Sequence, residues 1–156
     1  MLKIPTPKPP IAGLTTIKRN SAIVYQAIFF DFDGVIVEST EIKTQAFRIL
    51  YAEHAKELDD IVAYHNTNEG ISRLEKIHYC HEKFLDIRLS EKELAELAWK
   101  YSALVKQAVI KCSNVPGALD FLKTHYACIP MFVVSGTPEG ELKEIIKARK
   151  MDRYFT

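Results

Sequence analysis

Two apolar, β-prone runs constrain the fold of this chain more than any other feature of its sequence. The first covers residues 22–30, and the second, IPMFVVSG, ends at Ser135 and Gly136. Continuous apolar runs of this kind are typical of strands that are covered on both faces in a parallel sheet. Parallel strands need a long crossover between them, and the residues between these two runs carry mainly helical patterns. The sequence therefore predicts an α/β fold with a parallel sheet.

The helical patterns follow the first strand as one block. Ser39 or Thr40 can cap a helix that reaches about Leu58, after which DDIVAYHNTN is predicted to connect to a second helix. The second helix covers about residues 69–85, and SEKE at residues 90–93 is a capping box that opens a third. The block is therefore predicted to be wholly helical.

The pattern returns to strand and helix after this block. NVPGALDFLKTHY predicts a helix before the second strand, and Thr137 and Pro138 begin another helix after it. This order is that of a Rossmann-like α/β core with an inserted helical domain. We predict three parts: a flexible proline-rich arm at residues 1–21, an incomplete core made of residues 22–39 and 113–156, and an all-helical domain at residues 40–112.

Composition and charge exclude several classes of protein. With 47% hydrophobic and 26% charged residues, the chain is expected to fold as a globular protein. Its formal net charge of +1 provides no broad electrostatic field for nucleic acid or an anionic membrane. Three cysteines without a C-x-x-C pair argue against a disulfide framework and a structural zinc site. We therefore expect a cytoplasmic protein without nucleic-acid or membrane partners.

Two aspartates, Asp31 and Asp33, stand directly after the first strand. In open α/β sheets, ligands bind beyond the carboxyl ends of the strands, so DFDG and the SGT after the second strand are expected to face one another. Neighbouring carboxylates repel each other unless a cation relieves them, and Mg²⁺ prefers oxygen ligands. The pair therefore predicts phosphoryl transfer, with both aspartates as Mg²⁺ ligands, Asp31 as nucleophile and Asp33 as general acid and base. The alternative is that the aspartates merely cap a turn.

The same two segments contain candidate phosphate-binding groups. The glycine after the aspartates allows a sharp turn, so that the backbone N–H groups of Phe32 and Asp33 can point at a phosphate. Ser135 supplies a hydroxyl, and Gly136 lies between it and a helix N-terminus, which favours an anion. Taken alone, Ser135 is equally consistent with a helix cap.

These residues also carry a resemblance to a known family. FFDFDGVIVES resembles motif I of the haloacid dehalogenase superfamily of phosphohydrolases, and FVVSGT resembles its motif II. NVPGALDFLKTHY is similar to the segment that precedes motif II. The resemblance covers nearly all of residues 25–156 and points to the relatives of phosphoglycolate phosphatase and β-phosphoglucomutase. It implies a Mg²⁺-dependent phosphatase of small phosphorylated metabolites, sugar phosphates among them, with an aspartyl-phosphate intermediate and a helical cap over the site.

Two elements of the family pattern have no counterpart in these residues. Family members carry a motif III lysine and a motif IV acidic pair after the helix that follows motif II, where this sequence reads MDRYFT. Lys143, Lys147 and Lys150 lie earlier and are expected on a solvated face. We therefore expect the chain to be the amino-terminal part of a family member, without detectable phosphatase activity alone. We also expect self-association through an unpaired sheet edge.

One turn of the predicted cap carries a further part of the resemblance. EGISRLEK is similar to the G-x-S-R turn of β-phosphoglucomutase relatives, which implies that Arg73, with Lys76 one turn away, holds the far anionic end of the substrate. The alternative is two exposed helix charges paired with Glu69 and Glu75. The histidine that the mutases carry after motif I would fall at Lys43, which favours hydrolysis. Three functions stay open: a phosphatase, a non-catalytic phosphate-binding or regulatory protein, and a phosphomutase.

Overall fold

The computed structural model describes residues 25–156, and the predicted proline-rich arm at residues 1–21 lies outside them. The elements in chain order are β1 Ile28–Phe30, α1 Thr40–Leu50, α2 Leu58–Thr67, α3 Arg73–Phe84, α4 Glu91–Lys111, α5 Ala118–His125, β2 Met131–Val133 and α6 Glu139–Ala148, followed by a 3₁₀ turn at Asp152–Tyr154. The predicted α/β class with helices inserted after the first strand is confirmed, and α1 to α4 are called the cap below. The domain bounds stay a prediction. No helix among residues 25–156 has both the length and the apolar character needed to cross a membrane.

The two strands form a parallel pair, as the sequence predicts. Phe29 lies opposite Phe132, and Phe30 lies opposite Val133. Phe30 points into the protein, where its ring meets that of Phe121 on α5. Phe29 stacks on Phe132 on the other face of the sheet and is 67% exposed. The prediction that the first strand is covered on both faces is therefore wrong, because Phe29 stays largely exposed in the described part of the chain.

The long helix α4 begins where the sequence predicts a helix. Ser90 Oγ accepts a hydrogen bond from the backbone N–H of Glu93 at 3.4 Å, and Glu93 Oε2 accepts one from the N–H of Ser90 at 2.8 Å. The predicted capping box is therefore confirmed. α4 packs against α1 and α3, and the cap core that they share includes Phe47, Ile77 and Val105, all fully buried.

Helix boundaries in the first half of the cap differ from the prediction. α1 ends at Leu50 rather than near Leu58, and the segment predicted as a connection forms most of α2. α2 buries Ile61 and Val62. Packing of these side chains stabilises a segment whose His-Asn-Thr-Asn end favours turns, because tertiary contacts outweigh weak helix propensity.

Two adjacent backbone segments join the cap to the core. The backbone N–H of Glu38 donates to the carbonyl oxygen of Ser113 at 2.9 Å. The backbone N–H of Val115 donates to the carbonyl oxygen of Ile36 at 3.0 Å. Arg149, at the end of α6, donates to three carbonyl oxygens where α4 ends, at 2.7, 2.8 and 2.9 Å, those of Val109, Ile110 and Cys112. The entry to and exit from the cap are therefore tied together beside the loop after β1.

Candidate active site

The loop after β1 is a tight turn that carries both aspartates. Gly34 has a φ of +73°, in the left-handed region, and its N–H donates to the carbonyl oxygen of Val37 at 2.8 Å. Between the aspartates, the ring of Phe32 is buried in the core with 1% of its surface exposed. Asp31 is exposed and Asp33 is half-buried. The buried ring anchors the turn and leaves the two carboxylates at the end of the strand.

The backbone N–H of Phe32 donates to Oδ1 of Asp31 at 2.6 Å. This N–H group, predicted to bind phosphate, therefore binds the predicted nucleophile in this arrangement. Phosphate binding by Phe32 stays a prediction, and it requires this hydrogen bond to open.

Both carboxylate oxygens of Asp33 accept hydrogen bonds. Oδ1 accepts one from Ser39 Oγ at 2.6 Å, and Oδ2 accepts one from Lys43 Nζ at 2.5 Å and one from Ser135 Oγ at 3.3 Å. α1 starts at Thr40, and Ser39 at its N-cap position makes no side-chain cap bond. Ser39 therefore occupies the N-cap position that the sequence predicts, but its hydroxyl donates to Asp33 instead of bonding to the first turn of the helix.

The loop after β2 meets the loop after β1, as the sequence predicts, through the bond between Ser135 and Asp33. The backbone N–H of Thr137 donates to Ser135 Oγ at 3.1 Å. Lys43 Nζ donates to Thr137 Oγ1, also at 3.1 Å. The predicted phosphate-binding role of Ser135 and its neighbour Gly136 stays a prediction, but the structure brings both loops to one place.

A cavity of about 410 Å³ lies between these two loops and the cap. A Cβ atom on Gly136 would lie 3.4 Å from the carbonyl oxygen of Gly70, so the absence of a side chain lets the core loop approach the cap loop closely. Acidic groups line the core side of the cavity and mainly basic groups line the cap side. The charged residues of the lining are Asp31, Asp33, Lys43, Glu69, Arg73 and Lys76.

The two predicted cap residues, Arg73 and Lys76, line this cavity and are buried. Arg73 donates to both carboxylate oxygens of Glu141 on α6 and to the hydroxyl of Ser102 on α4. The alternative in which both are exposed helix charges is therefore wrong, because α3 turns them toward the core. Their contact with a substrate stays a prediction.

The ammonium of Lys76 lies against a buried imidazole, with Nζ at 3.2 Å from Nδ1 of His65. Burial lowers the pKa of Lys76 to about 8, and the neighbouring Lys43 ammonium adds to the effect. Burial also lowers the pKa of His65 to about 3, with Lys76 and Lys43 as further causes. At neutral pH, His65 is therefore uncharged and accepts a hydrogen bond from the Lys76 ammonium.

The sequence motifs do not predict a role in the site for four side chains that the structure places there: Ser39, Lys43, His65 and Thr137. Helical phase offers a signal for Lys43, because it stands four residues after Ser39 and so lies one turn into α1 on the same face. Thr137 is the last residue of motif II, and its position in the motif is the signal for it. His65 has no comparable signal, because it lies on α2, where the sequence predicts a connection rather than a helix.

Asp31 and Asp33 are the predicted Mg²⁺ ligands. The described residues contain no group of three or more histidine, cysteine or acidic side chains that could hold a metal ion. Mg²⁺ commonly binds one or two carboxylates and completes its shell with waters and substrate phosphate oxygens. Exposed Asp31 fits that donor set, whereas both oxygens of Asp33 already accept hydrogen bonds. Asp31 is therefore the stronger candidate, and metal binding by either aspartate stays a prediction.

A comparison with protein families matches residues 28–156 to haloacid dehalogenase-like hydrolases. The match covers most of the chain and includes both loops of the site. The chain belongs to the haloacid dehalogenase-like hydrolase family. The resemblance carried by motifs I and II is thereby confirmed.

Solved structures share the fold of this family member. β-Phosphoglucomutase from Clostridium difficile is 20% identical, with a TM-score of 0.64, over 85% of this chain and 60% of that one. YfnB from Bacillus subtilis, a protein of the HAD-hydrolase type bound to magnesium, is 16% identical, with a TM-score of 0.60, over 85% and 63%. CbbY from Rhodobacter sphaeroides, in complex with phosphate, is 18% identical, with a TM-score of 0.58, over 85% and 61%.

This chain thus spans about 60% of the length of these structures. At such identities the likeness is one of fold. No curated protein matches the chain.

Proposed function

We propose that this chain carries the active site of a Mg²⁺-dependent phosphatase that acts on small phosphorylated metabolites through an aspartyl-phosphate intermediate. The observation that carries the proposal is the contact of Ser135 with Asp33, two residues after Asp31, beside the cavity. It groups a candidate nucleophile, a candidate acid and base, and a hydroxyl donor. Membership in a hydrolase family supports the same reaction class.

In the proposed reaction, Asp31 attacks the phosphorus atom of the bound ester while the bond from phosphorus to the ester oxygen breaks. Asp33 gives a proton to that oxygen and later takes one from the water that hydrolyses the phosphorylated aspartate. Ser39 and Ser135 orient the Asp33 carboxylate through their hydrogen bonds. A bound Mg²⁺, held by Asp31, would reduce the electrostatic repulsion between this carboxylate and the phosphate.

The cap side of the cavity supports a substrate with a second anionic or polar end. Arg73 and Lys76 line the cavity together with the aspartates, and we assign them to the end of the substrate away from the reacting phosphate. Arg73 can serve in this way only by sharing or leaving Glu141. The fold is shared with a protein that was solved in complex with phosphate, which supports phosphate compounds as the ligand class. It is also shared with a β-phosphoglucomutase, so a phosphomutase remains an alternative.

A non-catalytic phosphate-binding or regulatory protein is the second candidate. The ion pair of Lys43 with Asp33, at 2.5 Å, favours it, because this contact occupies the carboxylate proposed as acid and base. Such a protein would bind phosphate without turning over its esters.

Hydrolysis of an aryl phosphate in the presence of Mg²⁺, by the protein expressed with any coding sequence that continues past Thr156, tests the first proposal. Asp31→Asn is expected to abolish turnover, because an amide is a poor nucleophile at phosphorus. Asp59→Asn, on α2, is the matched control, since its side chain is 95% exposed and lies outside the cavity. A wild-type rate in Asp31→Asn would contradict the mechanism, and a rate unchanged by EDTA would contradict the metal requirement.

Comparing the 156-residue chain with the product of any coding sequence that continues past Thr156 separates the two candidates. We expect the 156 residues to bind inorganic phosphate without detectable hydrolysis of aryl phosphates. The longer product is expected to hydrolyse them. Phosphate binding without turnover in both forms would favour the binding protein.

We also propose a cytoplasmic location, and small phosphorylated metabolites as partners in place of nucleic acid or membrane. Cys80, Cys112 and Cys128 are free thiols, which a reducing compartment favours. The formal net charge of +1 supplies no general attraction to polyanions.

A further inference from the structure

Lys43 connects the cap to both loops of the candidate active site. It lies in the first turn of α1, and its ammonium donates to Asp33 Oδ2 at 2.5 Å and to Thr137 Oγ1 at 3.1 Å. Its side chain is 19% exposed and lines the cavity. One cap residue therefore contacts the loop after β1 and the loop after β2 at the same time.

These contacts close a ring of four residues. Thr137 donates its backbone N–H to Ser135 Oγ, and Ser135 Oγ donates to the same Asp33 oxygen that Lys43 binds. An ammonium has three N–H donors, and two of those on Lys43 have partners among residues 25–156. The third donor is left for an oxygen atom of a ligand in the cavity.

The other basic groups of the cavity have partners away from the aspartates. Arg73 binds Glu141, and Lys76 binds His65. Of the basic side chains that line the cavity in the described part of the chain, Lys43 is the one in contact with an aspartate of motif I. A phosphate beside two carboxylates is strongly repelled unless a cation lies close to it, and a charge-assisted hydrogen bond from an ammonium relieves that repulsion.

We propose that Lys43 is a phosphate-binding residue, whose ammonium donates its third N–H to the substrate's phosphoryl group while it keeps its contact with Asp33. The first cap helix then contributes directly to phosphate binding, so that even inorganic phosphate, which has no organic part for the cap to recognise, depends on a cap residue. This inference rests on the proposed function, since it takes a phosphate ester as the ligand of the site.

The test is the dissociation constant of inorganic phosphate, measured by isothermal titration calorimetry on the 156-residue chain. Lys43→Met keeps most of the side-chain length and removes the charge, and it should weaken binding about ten- to a hundredfold. Lys43→Arg restores a cation and should bind phosphate more tightly than Lys43→Met. Lys106→Met is the matched control, because Lys106 also joins the cap to the core, through Glu144 on α6, but does not line the cavity.

The outcomes separate this inference from the proposed function. Equal phosphate affinity in wild type and folded Lys43→Met overturns the role of Lys43 and leaves the phosphatase proposal standing. Absence of phosphate binding in the wild type overturns both.

A second measurement does not depend on the folding of a variant. Acetic anhydride labelling of the wild type, followed by mass spectrometry, should show that phosphate protects Lys43 but not exposed Lys143. Equal labelling of Lys43 with and without saturating phosphate overturns the inference.

Discussion

The guanidinium of Arg73, on cap helix α3, binds both carboxylate oxygens of Glu141, in the first turn of α6, with nitrogen–oxygen distances of 2.8 and 2.9 Å. Both side chains are nearly buried, at 6% and 11% exposed. Arg73 also donates to Ser102 and lies 5.1 Å from the centroid of the Tyr101 ring, both on α4. One ion pair therefore ties two helices of the cap to the core beside the cavity.

Breaking this pair from either side is expected to destabilise the fold. Arg73→Leu or Glu141→Leu leaves a buried charge without its partner, so each should lower the free energy of unfolding by about 3 kcal/mol or more. The double variant should lose less than the sum of the two, because neither charge remains. Urea unfolding of the four proteins in a double-mutant cycle should give a coupling energy of about 1–3 kcal/mol.

Lys106 and Glu144 are the matched control pair, because they also join a cap helix, α4, to α6. Glu144 is 63% exposed, so solvent screens this pair, and its coupling energy should stay below about 1 kcal/mol. Equal coupling energies for the two pairs would contradict the importance assigned to burial of Arg73 and Glu141.

Acid is expected to destabilise the cap through His65. Folding lowers the pKa of this imidazole from 6.5 to about 3, so the unfolded chain binds a proton at mildly acidic pH that the folded chain does not. The stability from uncharged His65 is complete above pH 6.5 and is lost as the pH falls toward 3. Between pH 7 and pH 5, urea unfolding should show a loss of about 1–2 kcal/mol from this group.

Two variants isolate that contribution from other titrating groups. His65→Gln keeps a hydrogen-bond acceptor without a basic nitrogen, so it should lose less stability than wild type over the same pH interval. His78→Gln, at a histidine that is 56% exposed, should follow the wild type. A wild-type pH dependence in His65→Gln would assign the effect to other groups.

Gly34 is expected to be required at the turn that carries the aspartates. Alanine there would keep an unfavourable φ of +73° and place a Cβ atom 3.0 Å from Thr40 Oγ1, so Gly34→Ala should cost about 1–2 kcal/mol. Gly140→Ala, in α6 with open space around it, should leave the free energy of unfolding unchanged or raise it slightly. The melting temperatures of both variants are measured by thermal unfolding. An unchanged melting temperature in Gly34→Ala would show that alanine is not strained at this position.

Self-association is expected to involve the exposed face of the sheet. Phe29 and Phe132 stack with their centroids 5.1 Å apart, and Phe29 is 67% exposed, next to strand backbone that has no further partner strand among residues 25–156. Phe29→Ser should lower the associated fraction in sedimentation velocity at micromolar concentration. Trp99→Ser is the control, because Trp99 is 71% exposed but lies on α4. An equal fall in both variants, or none in Phe29→Ser, would rule out this face.

The sequence alone was sufficient for the features that depend on local chemistry and chain topology. A capping box places its own two residues in reach of each other, so the start of α4 at Ser90 could be predicted. Parallel strands end at the same edge of a sheet, so the meeting of Asp33 with Ser135 could be predicted as well. The family followed from the same two segments.

Only the tertiary structure decided which partners the basic side chains of the site bind. Arg73 and Glu141 are 68 residues apart, and Lys43 and Thr137 are 94 apart, so neither contact has a local signal. They form because α1, α3 and α4 pack into a cap whose orientation over the core depends on many apolar contacts together. Burial follows in the same way: Phe29 belongs to an apolar run but remains 67% exposed, because exposure depends on what packs against a side chain and not on its type.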